Sequence, residues 1–296
     1  MIIKGTYTAL ITPFLEDGSV DFEQLEKNIN FQIESGIDGL LALGTTAETP
    51  TLTKEEQVKI IECCNKTINK RVPLMVGTGS NSTAKTIKNT MEAEKKGADI
   101  ALVVTPYYNK PTQEGIFQHF KAIVDATNIP IVVYNIQGRT GRNIETETLI
   151  RIAALDQVIG VKEASGNMQQ IQSVITELVS KEENFHVMSG DDSLTLPINA
   201  LGAQGVVSVI SNLYPKEMST MVRAANSGDF GKARRIHNKL LPMMRGAFIE
   251  TNPSPIKGAM KFVGMDTGEV RLPLVKLSNE NEGLIKAIVN EIGRQE

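Results

Sequence analysis

The chain reads as an α/β protein: a (β/α)8 TIM barrel followed by a C-terminal helical appendage. Three observations predict this. Short runs rich in Val, Ile and Leu alternate eight times with amphipathic, helix-periodic stretches. The runs are almost continuously apolar, as strands of a parallel sheet covered by helices must be. After the eighth unit only helical patterns remain, so the strands close on themselves and the tail packs outside them.

In chain order, the first run is TYTALIT, from Thr6. The stretch DFEQLEKNINFQIESG follows, with Phe22, Leu25, Ile29 and Ile33 at helical spacing, Asp21 placed as an N-cap and Gly36 at the helix end. GLLALG from Gly39 is the second run, followed by the amphipathic stretch TKEEQVKIIECCNKTI with Thr53 at its start. PLMVGTG from Pro73 and a helix ending at Gly97 make the third unit. DIALVVTP from Asp99, PIVVYN from Pro130, VIGVKEA from Val158, FHVMSG from Phe185 and GVVSVIS from Gly205 complete the set. An open doubly wound sheet is the alternative, but no G-x-G-x-x-G follows the first run. Residues 1–226 are expected to form the barrel and 227–296 a helical domain, with Pro253 and Pro255 opening one of its helices.

Composition removes several function classes. The 296 residues carry a net charge of −3, with no basic patch suited to nucleic acid or an anionic membrane. No apolar stretch approaches a membrane span, and the opening MIIKGTYTALITPF is too broken by Lys4, Gly5 and Thr6 for a signal peptide. Cys63 and Cys64 are adjacent and cannot pair in an ordinary disulfide. His119, His186 and His237 show no metal-ligand spacing. The reading is a soluble protein of a reducing compartment, expected in the cytoplasm, with no sequence sign of a metal.

In such barrels the active site lies at the C-terminal ends of the strands. Those ends carry Gly44-Thr45-Thr46-Ala47-Glu48, Tyr107-Tyr108-Asn109, Tyr134-Asn135 with Arg139 beyond, Lys162-Glu163, and Ser189-Gly190-Asp191-Asp192. Lys162 and Tyr134 hold corresponding places on sequential strands, which lie about 4.8 Å apart. If both point inward, amine and phenol share one small space, with Gly160 leaving room beneath the lysine. A buried lysine has its charged form disfavoured, and a neutral amine can attack a ketone to form a Schiff base. The phenol can move the protons this requires, with the hydroxyls of Thr46 and Tyr108 extending the chain of donors. Asp191 and Asp192, with no adjacent cation, speak against a phosphorylated substrate, and Arg139 suits a carboxylate. Each feature has an ordinary reading. Strand-end lysines run out to solvent and paired aspartates cap helices. The chemical reading rests on all of them meeting at one rim.

The motifs GTTAETPTLT (44–53), VTPYYNKP (104–111), YNIQGRTG (134–141), GVKEASG (160–166) and SGDD (189–192) carry a resemblance over essentially the whole chain. It is similar to the dihydrodipicolinate synthase family of pyruvate-dependent class I aldolases. The resemblance implies 4-hydroxy-tetrahydrodipicolinate synthase activity. Pyruvate, held as an imine on Lys162 with no other cofactor, condenses with L-aspartate 4-semialdehyde on the route to diaminopimelate and lysine. It implies Tyr134 as acid/base and Thr46 and Tyr108 as the remaining relay, Tyr108 reaching into a neighbouring subunit. It further implies Thr45 and Thr46 on the pyruvate carboxylate, Arg139 on the semialdehyde carboxylate, Gly190 and Val207 lining the pocket, and a homotetramer built as a dimer of tight dimers.

Two departures stand out. Ala47 replaces the family's usual glycine, which matters if φ there is positive, and Gln137-Gly138 replaces a more usual pair before Arg139. Lysine-inhibited members tend to carry a carboxylate where this chain has Lys85, near Tyr107, Asn81 and Lys54; an ammonium there repels a cationic effector. The enzyme is therefore expected to be insensitive to L-lysine, and clear inhibition at low-millimolar lysine in a steady-state assay would overturn that. N-acetylneuraminate lyase and other sugar-acid aldolases share the lysine and tyrosine. The GTT sequence and the tyrosine pair followed by Arg139 favour the synthase. A non-catalytic keto-acid-binding barrel is the other alternative, and it would have no use for a proton relay.

Overall fold

The computed structural model describes residues 2–179 and 184–293, so Met1, residues 180–183 and the last three residues of the expected helical segment lie outside the described residues. Eight parallel strands close in sequence order: β1 (Gly5–Ala9), β2 (Gly39–Ala42), β3 (Leu74–Gly77), β4 (Ile100–Val104), β5 (Ile131–Asn135), β6 (Val158–Glu163), β7 (His186–Ser189) and β8 (Gly205–Ser208). β8 pairs with β1 through Gly5↔Gly205 to Thr8↔Ser208, which completes the barrel.

The helices are α1 (Phe22–Glu34), α2 (Lys54–Ile68), α3 (Thr83–Lys95), α4 (Gln113–Val124), the short α5 (Gln137–Thr140), α6 (Thr146–Ala153), α7 (Met168–Val174), α8 (Thr195–Ala200) and α9 (Pro215–Asn226). Their starts follow the expected caps. The Asp21 side chain accepts from the Gln24 N–H, and Thr53 and Glu56 form a reciprocal capping box. Gly36 and Gly97 take the left-handed conformation just past α1 and α3, with φ of +83° and +92°.

The strand period of two sorts the residues. Ile131, Val133, Val161 and Val187 face outward, packing with Leu25, Ile29, Ile60, Ile116, Phe120 and Ile152 of the helices. Val132, Tyr134, Met75, Leu102, Met188 and Val207 face inward and fill the barrel. Lys162 follows outward-facing Val161 and so points in.

Beyond the barrel lie α10 (Phe230–Gly246), α11 (Ser254–Phe262) and α12 (Asn279–Gly293). Pro253 caps α11 and Pro255 sits in its first turn. Met218, Met221, Leu240, Met243, Met260 and Ile285 join these helices to α9, and Ile11, Val206 and Ile210 join them to the barrel. This explains a difference from the sequence reading. The apolar runs TYTALIT and GVVSVIS continue past the strands, which stop at Ala9 and Ser208, because the C-terminal helices bury Ile11, Val209 and Ile210 without strand pairing. Among the described residues no helix is long and apolar enough to cross a membrane.

Candidate active site

Lys162 and Tyr134 are register partners across β5 and β6. The Lys162 side chain is 6% exposed, and its Nζ lies 4.2 Å from the centroid of the Tyr134 ring. Burial lowers the amine from its ordinary 10.5 to about 7; the Arg139 guanidinium also lowers it, and Asp192 opposes both. About half the amine is therefore neutral near pH 7. Burial pushes the Tyr134 phenol up to about 12, against the pull of Arg139 and a hydrogen bond with the Thr45 side chain. At neutral pH the phenol is protonated and stands ready as a donor.

The small residue that makes room for the lysine is Gly190, not Gly160. A Cβ at Gly190 would lie 3.1 Å from Lys162 Cε and 3.2 Å from its Cγ. A Cβ at Gly160 would meet the His186 carbonyl at 2.4 Å and Ile3 at 3.0 Å. Gly160 therefore serves close strand packing against β7 and Ile3. The close neighbour comes from the next strand's end, where sequence spacing within one strand cannot find it.

The GTT turn is a short 3-10 helix, Thr45–Ala47. Ala47 takes a negative φ, so its Cβ is unstrained; the left-handed residue is Glu48, at φ 55°. Only one of the two threonines faces the phenol. Thr45 hydrogen-bonds Tyr134. Thr46 is 2% exposed and turned away, its Oγ1 accepting from Asn252 Nδ2 at 2.9 Å. Thr46, expected in the relay, thus has its hydroxyl engaged by Asn252, as consecutive residues of a tight turn point to different sides.

A cavity of about 280 Å³ opens above the barrel, lined among others by Thr45, Tyr107, Tyr134 and Arg139, with Lys54 and Lys85 at one side. Lys162 does not line it, but its amine covers the Tyr134 ring, which does. Arg139, on α5, is exposed at the cavity. Val207 is buried in the barrel filling beside Tyr134 and Met188. Tyr108 is not brought to this site within the chain. It takes φ 72° and points out, 89% exposed.

Sequence reasoning missed two buried carboxylates, Asp192, whose charge acts on the lysine, and Glu163, on the opposite face of β6. The sequence offers Asp191 and Asp192 alike as caps. Asp191 does cap the following turn, accepting from the Ser193 N–H, but Asp192 is 2% exposed and its Oδ2 accepts from the N–H groups of Val209 and Ile210 at 2.9 and 3.0 Å. Burial raises it to about 6. Glu163, fully buried on the outer face, accepts from Ser165 N at 2.7 Å and Asn135 Nδ2 at 3.1 Å, and burial raises its carboxyl.

A pH dependence follows from the amine at about 7. If Lys162 forms an imine with a keto acid, the rate at which borohydride traps the adduct should rise from pH 6 to about 8 and then level, because only the neutral amine is reactive. Stability moves the same way. Above pH 7 the unfolded chain keeps, up to about 10.5, a proton that the folded chain has lost, so unfolding free energy rises with pH in that window. A trapping rate independent of pH between 6 and 8 would contradict the assignment.

A closed parallel barrel that buries a lysine amine against a tyrosine ring at the end of its sixth strand defines the class of fold and site. Comparison with known proteins narrows the class. The chain belongs to the dihydrodipicolinate synthetase family, whose model matches residues 2–292. The 4-hydroxy-tetrahydrodipicolinate synthase of Protochlamydia amoebophila (strain UWE25) is 52% identical over 295 residues, covering 100% of this chain and 98% of its own. The crystal structure of dihydrodipicolinate synthase from Thermotoga maritima superposes with a TM-score of 0.97 at 42% identity, covering 99% of each chain. A monomeric dihydrodipicolinate synthase variant gives 0.96 at 42% identity, covering 98% of this chain and 97% of its own. The expected fold, lyase class and 4-hydroxy-tetrahydrodipicolinate synthase activity agree with these full-length relatives.

Proposed function

We propose that the chain condenses pyruvate with L-aspartate 4-semialdehyde through an imine on Lys162. The observation that carries this is the Lys162 amine, buried over the Tyr134 ring and lowered to about 7. The neutral amine attacks the ketone carbon of pyruvate and the carbonyl oxygen takes a proton. Loss of water leaves the iminium. Loss of a methyl proton then gives the enamine, whose carbon attacks the aldehyde while the aldehyde oxygen is protonated. The amino group of the bound semialdehyde displaces Lys162 and closes the ring, which frees the enzyme.

Tyr134 moves the protons at the amine and the departing oxygen, and Thr45 is the hydroxyl joined to it. The turn at Thr45 and Thr46 receives the pyruvate carboxylate, and Arg139 at the cavity receives that of the semialdehyde. Gly190 and Val207 shape the floor. Tyr108, exposed and on a left-handed residue, supports a contribution to a neighbouring subunit and hence a homo-oligomer, the homotetramer of the family resemblance. The expected location is the cytoplasm, with no nucleic acid or membrane partner.

Nuclear magnetic resonance can follow the consumption of each substrate. Equal loss of pyruvate and aspartate semialdehyde is the expected result. Turnover of pyruvate with N-acetylmannosamine instead would make the chain a sugar-acid lyase, and pyruvate binding without a reducible adduct would make it a binder. Within the synthase reading, Thr45→Val should lower kcat about 100-fold, and Thr46→Val should fall well short of that loss. The reverse order would return the relay role to Thr46.

A further inference from the structure

The turn that carries Thr45 is held from outside the barrel. Each of the three residues after Thr45 is gripped by a different part of the chain. Thr46 Oγ1 accepts from Asn252 Nδ2 at 2.9 Å. The Ala47 carbonyl accepts from Thr12 Oγ1 at 2.8 Å. Glu48 has both carboxylate oxygens tied, Oε1 to Lys257 Nζ at 2.8 Å and Oε2 to the Arg271 N–H at 2.9 Å. Lys257 lies on α11 and is fully buried, as is the Glu48 side chain. Its Nζ also donates to the Glu269 carbonyl at 2.7 Å and sits 4.1 Å from the Phe14 ring centroid. Asp266, 8% exposed, adds a second carboxylate to the same surroundings.

A buried lysine–glutamate pair is retained only where geometry and further hydrogen bonds compensate both charges. Glu48 moreover takes φ 55° and ψ 34°, a conformation that a non-glycine residue keeps only when its surroundings compel it. The compelling groups are Lys257 and Arg271, both in the C-terminal segment. Glu48 follows Thr45 by three residues, within the same tight turn, and its N–H closes that turn on the Thr45 carbonyl at 3.1 Å.

We infer that Lys257 is a positioning residue for catalysis: through Glu48 it sets the turn that aims the Thr45 hydroxyl at Tyr134. The C-terminal helices thereby act on the proton relay and not only on the stability of the barrel. This rests on the Lys162 imine reading above.

The test reads proton transfer apart from folding and from imine formation. In D2O, an imine-forming enzyme incorporates deuterium into the methyl group of pyruvate, because the iminium loses and regains methyl protons. The rate is measured per site that borohydride can trap with pyruvate. Lys257→Met should still trap pyruvate but exchange about 10- to 100-fold more slowly per trapped site, the range expected for a small misplacement of a catalytic group. Should the unpaired Glu48 prevent folding, the double variant Glu48→Gln/Lys257→Met removes both charges, and the same slowing is expected. Lys261→Ala, at an exposed position on the same helix, should exchange at the wild-type rate. Wild-type exchange per site in the folded single or double variant would overturn the inference, leaving Lys257 a structural residue. Absence of any adduct on the wild type would overturn the imine reading itself.

Discussion

Replacing Lys162 by alanine should abolish the borohydride-trapped pyruvate adduct and lower turnover by at least about 10³-fold. In the proposed mechanism the Lys162 amine forms the carbon–nitrogen bond on which every later step depends. Lys162→Arg separates this from a charge effect. A guanidinium remains protonated above pH 12 and cannot become a nucleophile, so Arg should be as inactive as Ala although it keeps the positive charge. Mass spectrometry of the intact protein reads the adduct directly. An adduct on the alanine variant would move the nucleophile to another lysine.

Tyr134→Phe should lower kcat about 10²- to 10³-fold while the adduct still forms slowly. Phenylalanine keeps the ring surface over which the amine sits, so the burial that lowers the amine is preserved. What is lost is the phenolic proton, held at neutral pH by a group pushed to about 12. Carbinolamine dehydration then lacks its donor. Rates of adduct formation and of steady-state turnover, measured side by side, check this. Full turnover in the phenylalanine variant would make Tyr134 a packing residue.

Several site features were legible because they depend on one-dimensional regularities. Alternation along β6 puts Val161 out and Lys162 in, and the same alternation along β5 puts Val133 out and Tyr134 in. Consecutive strands of a barrel are neighbours, so sequence order alone brought Lys162 beside Tyr134. Other features depend on directions within turns. Thr45 and Thr46 are adjacent in sequence, yet one meets the phenol and the other meets Asn252. Glycine at Gly160 and Gly190 reads alike in sequence, and only the neighbouring strand reveals which one borders the lysine. Asp191 and Asp192 are likewise equivalent as letters, but one caps a turn and the other is buried against Val209 and Ile210.

The sequence by itself determined the eight-fold alternation, the barrel it closes into, the inward lysine and tyrosine, and the family to which the chain belongs. These follow from period, order and motif, which are properties of a linear string. Only the tertiary structure decided which threonine faces the phenol, which glycine accommodates the lysine, and that Tyr108 points away from its own site. It alone joined Glu48 to Lys257, residues from the second strand's loop and from α11. Contacts of that separation are set by how the C-terminal helices pack on the barrel, and no local pattern encodes them.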